Sequence, residues 1–199
     1  MAAGASIDVS ATDAGDGGTA VLWSDVQNAE SQTTVDGNIV ARGGNNGGDG
    51  GRVETSGASI SIGENTTVNT LAPQGENGEW LIDPVDFTIA PAGGDTTGAT
   101  VSTNLGGGNV TILSSSGSMG TLGDINVNDT VTWGSANTLT LNAQNNININ
   151  SDITSTHASG KLALEYGQAT AGGAGTDYVV ANGVTVNLAA GNNFSTKQG

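Results

Sequence analysis

Thr138-Leu139-Thr140-Leu141-Asn142-Ala143-Gln144-Asn145-Asn146-Ile147-Asn148-Ile149-Asn150 alternates apolar and polar residues almost without a break. Leu139, Leu141 and Ala143 fall on one side of an extended chain, as do Ile147 and Ile149, while Thr and Asn fall on the other. A period of two is the mark of a strand with one buried face. The same alternation runs outward in both directions. It recurs in Ser6–Ser10, Arg52–Thr55, Ser59–Ile62, Asn109–Ile112, Asp124–Val127, Lys161–Leu164 and Val184–Leu188. No stretch of eleven or more residues carries apolar positions at i, i+3, i+4 and i+7, and Gly or Asn interrupts almost every candidate. The chain reads as all-β.

These runs are short, and Gly, Asn, Asp and Ser separate them. Aromatic residues make up only 4% of the chain, too few for the core of an ordinary sandwich or barrel. Small aliphatic side chains suit instead a narrow coil in which each strand pairs with its equivalent one coil away, so that like stacks on like. The expected fold is a right-handed parallel β-helix, a solenoid with Gly/Asn-rich corners. Ile112 to Ile125 is a step of 13 residues, Ile125 to Leu139 of 14 and Ile149 to Leu164 of 15. A full coil takes roughly 20 residues or more, so each step covers part of a turn. About nine or ten coils at about 4.8 Å would make a rod about 45 Å long. Asn145, Asn146 and Asn150 are expected to stack at corners and share amide hydrogen bonds.

One continuous solenoid is expected in three stretches: Gly/Asp-rich coils over 1–72, a Trp-Leu-Ile-Asp-Pro junction over 73–98, and regular coils over 99–199. The Gly blocks, such as Asp13–Gly18 and Gly43–Gly51, have strand-like segments on both sides, which favours tight corners over linkers.

Leu, Ile, Val and Phe supply about a fifth of the 199 residues and the net charge is −15, a composition at the edge of intrinsic disorder, so the pattern above has to decide for order. Four Lys and Arg against 19 Asp and Glu cannot neutralise a phosphate backbone, which argues against nucleic acid as a partner. Attraction to anionic lipid is disfavoured on the same ground, and no apolar run approaches the roughly 20 residues of a membrane span, so membrane insertion is not expected. Cysteine is absent, which closes the disulfide route to stability and suits export of an unfolded chain. The first residues, Met1-Ala2-Ala3-Gly4-Ala5-Ser6, lack the charged and apolar regions of a signal peptide; in a secreted parent, Met1 would begin an internal fragment.

Gly47–Gly57, with Gly50-Gly51-Arg52-Val53-Glu54-Thr55-Ser56-Gly57 at its centre, resembles the GG-x-V-E-(T/V)-S-G element of filamentous haemagglutinin-like exoproteins, the passengers of two-partner secretion. Gly78-Glu79-Trp80-Leu81-Ile82-Asp83-Pro84 is similar to the W-L-(L/I)-D-P element that follows it in that family, closing on a (V/F)-T-I strand like Phe87-Thr88-Ile89. Asn137–Ala143, Ile147–Asn150 and Gly191–Lys197 resemble its downstream coils, so the likeness spans most of 35–199. The family's secretion domain is not matched. The resemblance implies an internal segment of an adhesin, exported through an outer-membrane secretion pore, folded outside the cell, and displayed at the bacterial surface or secreted. A host-cell glycan or protein receptor would be its partner.

No catalytic, cofactor or metal site emerges from the residues. His157, the only histidine, lies in a polar turn-like segment and reads as an exposed loop residue. One His and no Cys cannot supply a usual zinc set. Asp83 and Asp86 flank Pro84-Val85, and paired carboxylates can hydrolyse glycosides, which leaves a carbohydrate-active β-helix enzyme as an alternative. The plainer reading has Trp80 and Leu81 covering a coil edge while Asp83-Pro84 turns the chain. Gly43–Asp49 has the wrong spacing for a calcium-binding nonapeptide array, though isolated surface carboxylates leave weak Ca²⁺ binding open. Thr130-Val131-Thr132 and Thr138-Leu139-Thr140 would face outward, the basis of an ice-binding alternative. Asn65, Asn109, Asn128 and Asn193 begin N-x-S/T triplets and are candidate glycosylation sites.

Overall fold

A computed structural model describes residues 1–115 and 122–199. The chain winds as a parallel β-solenoid of about six turns, each coil presenting three faces. The first strands are β1 (Ser6–Asp8), β2 (Thr19–Trp23), β3 (Gln32–Val35) and β4 (Asn38–Val40). The next coil contributes β5 (Arg52–Ser56), β6 (Ser59–Ile62) and β7 (Thr67–Asn69). The third holds β8 (Glu79–Asp83), β9 (Phe87–Ile89) and a helix, α1 (Gly98–Leu105), where a third strand would stand. β10 (Asn109–Ser114), β11 (Ile125–Val127) and β12 (Val131–Trp133) follow. Then come β13 (Thr138–Ala143), β14 (Ile147–Ile149) and β15 (Ile153–Ser155). β16 (Lys161–Tyr166), β17 (Tyr178–Val180), β18 (Val186–Asn187) and β19 (Phe194–Gln198) complete the chain.

The first face is one seven-stranded sheet, ordered β19-β16-β13-β10-β8-β5-β2. The second consists of β3-β6 and β17-β14-β11-β9, and the third of β1-β4-β7 and β12-β15-β18. Every named strand pairing is parallel and in register. The coil is longer than the sequence spacing suggested. The longest register step on the first face, Ala20 to Val53, is 33 residues, and the shortest, Leu139 to Leu162, is 23. Three strands and three corners fit in each turn, so the chain makes about six turns, not nine or ten. The first sheet is accordingly about 29 Å across its strands, not about 45 Å.

Alternation places the core. On the first face Ala20, Val53, Trp80, Val110, Leu139, Leu162 and Phe194 form one inward column, and Leu22, Thr55, Ile82, Ile112, Leu141, Leu164 and Thr196 the next. Phe87, Ile125, Ile147 and Tyr178 stack on the second face. Ile7, Ile39 and Val68, then Val131, Ile153 and Val186, stack on the third. Burying one such aliphatic side chain contributes roughly 1.5–3 kcal/mol. Trp80 is 2% exposed, inside the core and not over a coil edge. Its Nε1 donates to Thr55 Oγ1 at 3.2 Å, which accounts for a hydroxyl inside a column that is otherwise aliphatic up to Thr196 at its end. Asp83 does end a strand, and Pro84 opens the turn to β9.

The corner leading into the first face is built of glycine. A Cβ on Gly78 would lie 1.9 Å from the Gly51 carbonyl oxygen, and one on Gly51 would lie 2.1 Å from that of Gly18. Successive backbones therefore touch, and only a residue without a side chain fits there. Aspartates at this corner, and Asp152 at the corner between β14 and β15, accept from backbone amides of a neighbouring coil. Asp16 takes Asp49 N at 2.8 Å, Asp49 takes Glu76 N at 2.9 Å, and Asp152 takes Thr185 N at 2.8 Å. Much of the acidity is thus structural.

The alternation hides two irregularities. After β9 the chain loops out and returns, so that Asp95 and Thr96 lie between β6 and β9: Ile62 N donates to Asp95 O and Ala90 N to Thr96 O. The second is α1, eight residues long and below the window in which helical periodicity can be read. Thr97 caps it, accepting from Thr100 N at 3.1 Å, and Asp129 takes Gly98 N at 2.8 Å. The helix packs between β7 and β12 on the third face, where it cannot offer a strand edge. Its side chains do so instead. Asn104 Oδ1 accepts from Val68 N at 2.6 Å and its Nδ2 donates to Thr66 O at 3.0 Å, while Ser102 Oγ accepts from Thr132 N at 2.9 Å. Asn104 is 2% exposed, so its removal leaves buried backbone groups without partners. Asn104→Ala is expected to lower stability by about 3 kcal/mol, read as a shift of the urea midpoint, whereas the neighbouring exposed substitution Thr103→Ala is expected to leave it nearly unchanged.

Candidate binding face

Among the described residues, Trp23 is the one aromatic side chain on the outward side of the first sheet. Thr19, Val21 and Trp23 point outward from β2; Arg52 and Glu54 from β5; Glu79, Leu81 and Asp83 from β8. Register sets Val21, Glu54 and Leu81 in one row and brings Trp23 level with Ser56 and Asp83. Trp23 is 70% exposed, in contrast to Trp80 and Trp133, which are both buried. Its Nε1 donates to Glu54 Oε1 at 2.9 Å. Ser56 Oγ donates to the same oxygen at 3.1 Å, and Arg52 reaches Oε2 at 3.1 Å, forming the one ion pair among the described residues. The carboxylate is held from three sides, and it holds the indole in turn. Burial, with the nearby Glu54 charge adding to it, pushes the Asp83 carboxyl up to about 6.

Of the sequence-based candidates for catalysis, Asp83 lies on this face, and Asp86 and His157 lie elsewhere. Asp86 Oδ1 accepts from Gly123 N and Asp124 N, both at 2.9 Å, which commits this carboxylate to a loop. Asp95 accepts from Thr88 N; its carboxyl is raised mainly by burial, with Asp86 adding to the rise and the Thr88 amide opposing it. His157 Nδ1 accepts from Ser159 N at 3.0 Å in a surface turn. Among the described residues no group of three or more His, Asp or Glu side chains is placed to hold a metal ion, and no helix is long and apolar enough to cross a membrane. Of the corner asparagines, Asn150 donates to Asn128 Oδ1 at 2.8 Å, a stacked amide pair like Asn148 on Asn126 at 2.9 Å. Asn145 instead donates to Asp124, and Asn146 accepts from Asp177 N. Thr132 and Thr140 face outward but in different sheets, so they form no shared flat row.

The four sequons divide sharply. Asn109 uses its amide on Asn77 O, Gly78 O and Thr138 N, and buried Asn193 donates to Ala158 O and Ala189 O. A glycan on Nδ2 of either would forfeit at least one of those donations. Asn65 and Asn128 are exposed. At the far end of the rod a concavity of about 450 Å³ opens between Leu164, Tyr178, Val180, Val186, Leu188 and Phe194.

No protein-family model matches the chain, and no curated protein matches it.

The raised carboxyls fix a pH dependence. Asp83 and Asp95 both titrate higher folded than unfolded, so the folded chain holds protons that the unfolded chain releases. Stability is therefore expected to fall as pH rises from about 4 through about 6. Asp83 is only partly shielded, which limits its share to about 1 kcal/mol or less. Urea midpoints measured at pH 4.5 and 7 should show the drop, and Asp83→Asn should shrink it. A midpoint that rises over that interval would contradict the assignment.

Proposed function

We propose that this chain is a structural and adhesive segment of a large secreted bacterial surface exoprotein. The observation that carries the reading is the solenoid itself, a rod whose first face is one uninterrupted ladder from β2 to β19. Such a rod makes a shaft, and its outward side chains are free to meet a partner because they are not needed for the core. The resemblance of Gly47–Gly57 and Gly78–Ile89 to filamentous haemagglutinin-like exoproteins agrees with it. So does the absence of cysteine, which lets the chain pass a narrow outer-membrane pore unfolded. Folding outside the cell suits a structure in which each coil pairs only with its neighbours. Its role is binding and spacing, not catalysis.

Labelled chain, shown by its far-UV spectrum to be folded, is expected to bind host cells saturably and to be displaced by excess unlabelled chain. A folded chain that does not bind would remove the adhesive half of the proposal and leave a spacer. A spectrum with substantial helix would remove the rod.

A further inference from the structure

We infer that the outward face of β2, β5 and β8 is a binding site for an uncharged saccharide, with Trp23 as the stacking platform and Glu54 and Asp83 as acceptors for sugar hydroxyls. The inference names a ligand class for the adhesive reading above and rests on it.

Three features converge. Trp23 offers a large apolar surface, 70% exposed, whose orientation is already fixed by the 2.9 Å bond to Glu54, so little further ordering is needed when a ligand lands on it. Val21 (52% exposed) lies two residues away on the same side of the strand, and with Leu81 it flanks Glu54. An aromatic surface with a few placed polar groups beside it is the usual make-up of a small-ligand site. The second feature is Asp83. Its carboxylate is half-buried beside Glu54, and no hydrogen bond to its oxygens comes from the described residues. A desolvated acceptor without a donor is costly, and a ligand hydroxyl would relieve it with a charge-assisted bond. Glu54 Oε2, which takes Arg52 alone, keeps a second acceptor position. The third feature is charge. Glu54, Glu79 and Asp83 outnumber Arg52 on this face, and the chain carries −15 overall, so sulfated or sialylated glycans are repelled while neutral hydroxyls are accepted. A shallow cleft of about 390 Å³ between Asp16, Asp49, Arg52 and Glu79 opens at the other end of the same strands, about 13 Å along β2 from Trp23. That favours an extended oligosaccharide over a single ring.

Trp23→Ala removes the platform without touching the core, so its thermal midpoint should stay within a few degrees of the parent, and circular dichroism would show the fold intact. The experiment titrates the whole chain with glucose, galactose, mannose and N-acetylglucosamine oligomers up to millimolar concentration, with a heparin fragment as the anionic control, following tryptophan emission and calorimetric heat. At least one neutral oligomer is expected to bind and to shift the emission of exposed Trp23. Affinity should fall about tenfold or more in Trp23→Ala and several-fold in Glu54→Gln. The inference is overturned if no neutral oligomer binds the folded parent, if Trp23→Ala binds as well as the parent, or if only the heparin fragment binds. Cell binding separates the two readings. If Trp23→Ala still attaches to cells and the parent binds no neutral oligomer, the adhesive role stands and this site falls. If the parent binds neutral oligomers through Trp23 but no cells, the site stands and the adhesive role falls.

Discussion

A parallel strand cannot satisfy its own backbone, and in this chain every coil exists because the coil beside it needs hydrogen-bond partners. That need forces neighbouring turns into register, and register forces like residues into columns. Ala20 through Phe194 on the first face and Phe87 through Tyr178 on the second are products of the same rule. The rule is also visible where the fold departs from it. α1 interrupts the third face, yet the amides of Val68 and Thr132 still find acceptors, because Asn104 and Ser102 reach across in place of a strand. Asp95 and Thr96 do the equivalent between β6 and β9 with backbone. The solenoid tolerates a different element in a layer provided the polar accounts of the layers above and below are closed.

The corners obey a stricter form of the same requirement. Bringing backbones into contact leaves no space for Cβ at Gly51 or Gly78, and carboxylates such as Asp16 and Asp152 tie the amides that the turns leave unpaired. The abundance of Gly and Asp, which by composition alone borders on disorder, is what a tightly cornered coil consumes.

The strands were legible because a period of two survives in short segments, and Thr138–Ala143 with Ile147–Ile149 shows it fully. The pitch was not, because the measured steps joined strands on different faces: Ile112 and Ile125 belong to different sheets. A better signal lay in the doublets Gly17-Gly18, Gly50-Gly51, Asn77-Gly78 and Gly107-Gly108, each placed just before a first-face strand. The helix escaped because eight residues carry too little periodicity, although Thr97 and Thr100 mark its cap. Trp80 and Trp23 show the limit most plainly. Trp80 and Leu81 are adjacent, and alternation requires that one be inside and the other outside, but only the neighbouring columns decide which. Nothing in the local sequence of Trp23 announces Glu54, which is 31 positions away. The face that joins Trp23 to Glu54 is a product of register, and register is a property of the whole stack.

Because each register step consumes between 23 and 33 residues, the rod has a built-in response to being pulled by its ends. The inter-strand hydrogen bonds run along the rod, so an axial load opens them one layer after another and not all at once. Each layer that gives way releases about 80–110 Å of slack at full extension, several times the length of the sheet from which it came. A rod built this way would yield in stages under an end-to-end pull, giving up one turn at a time.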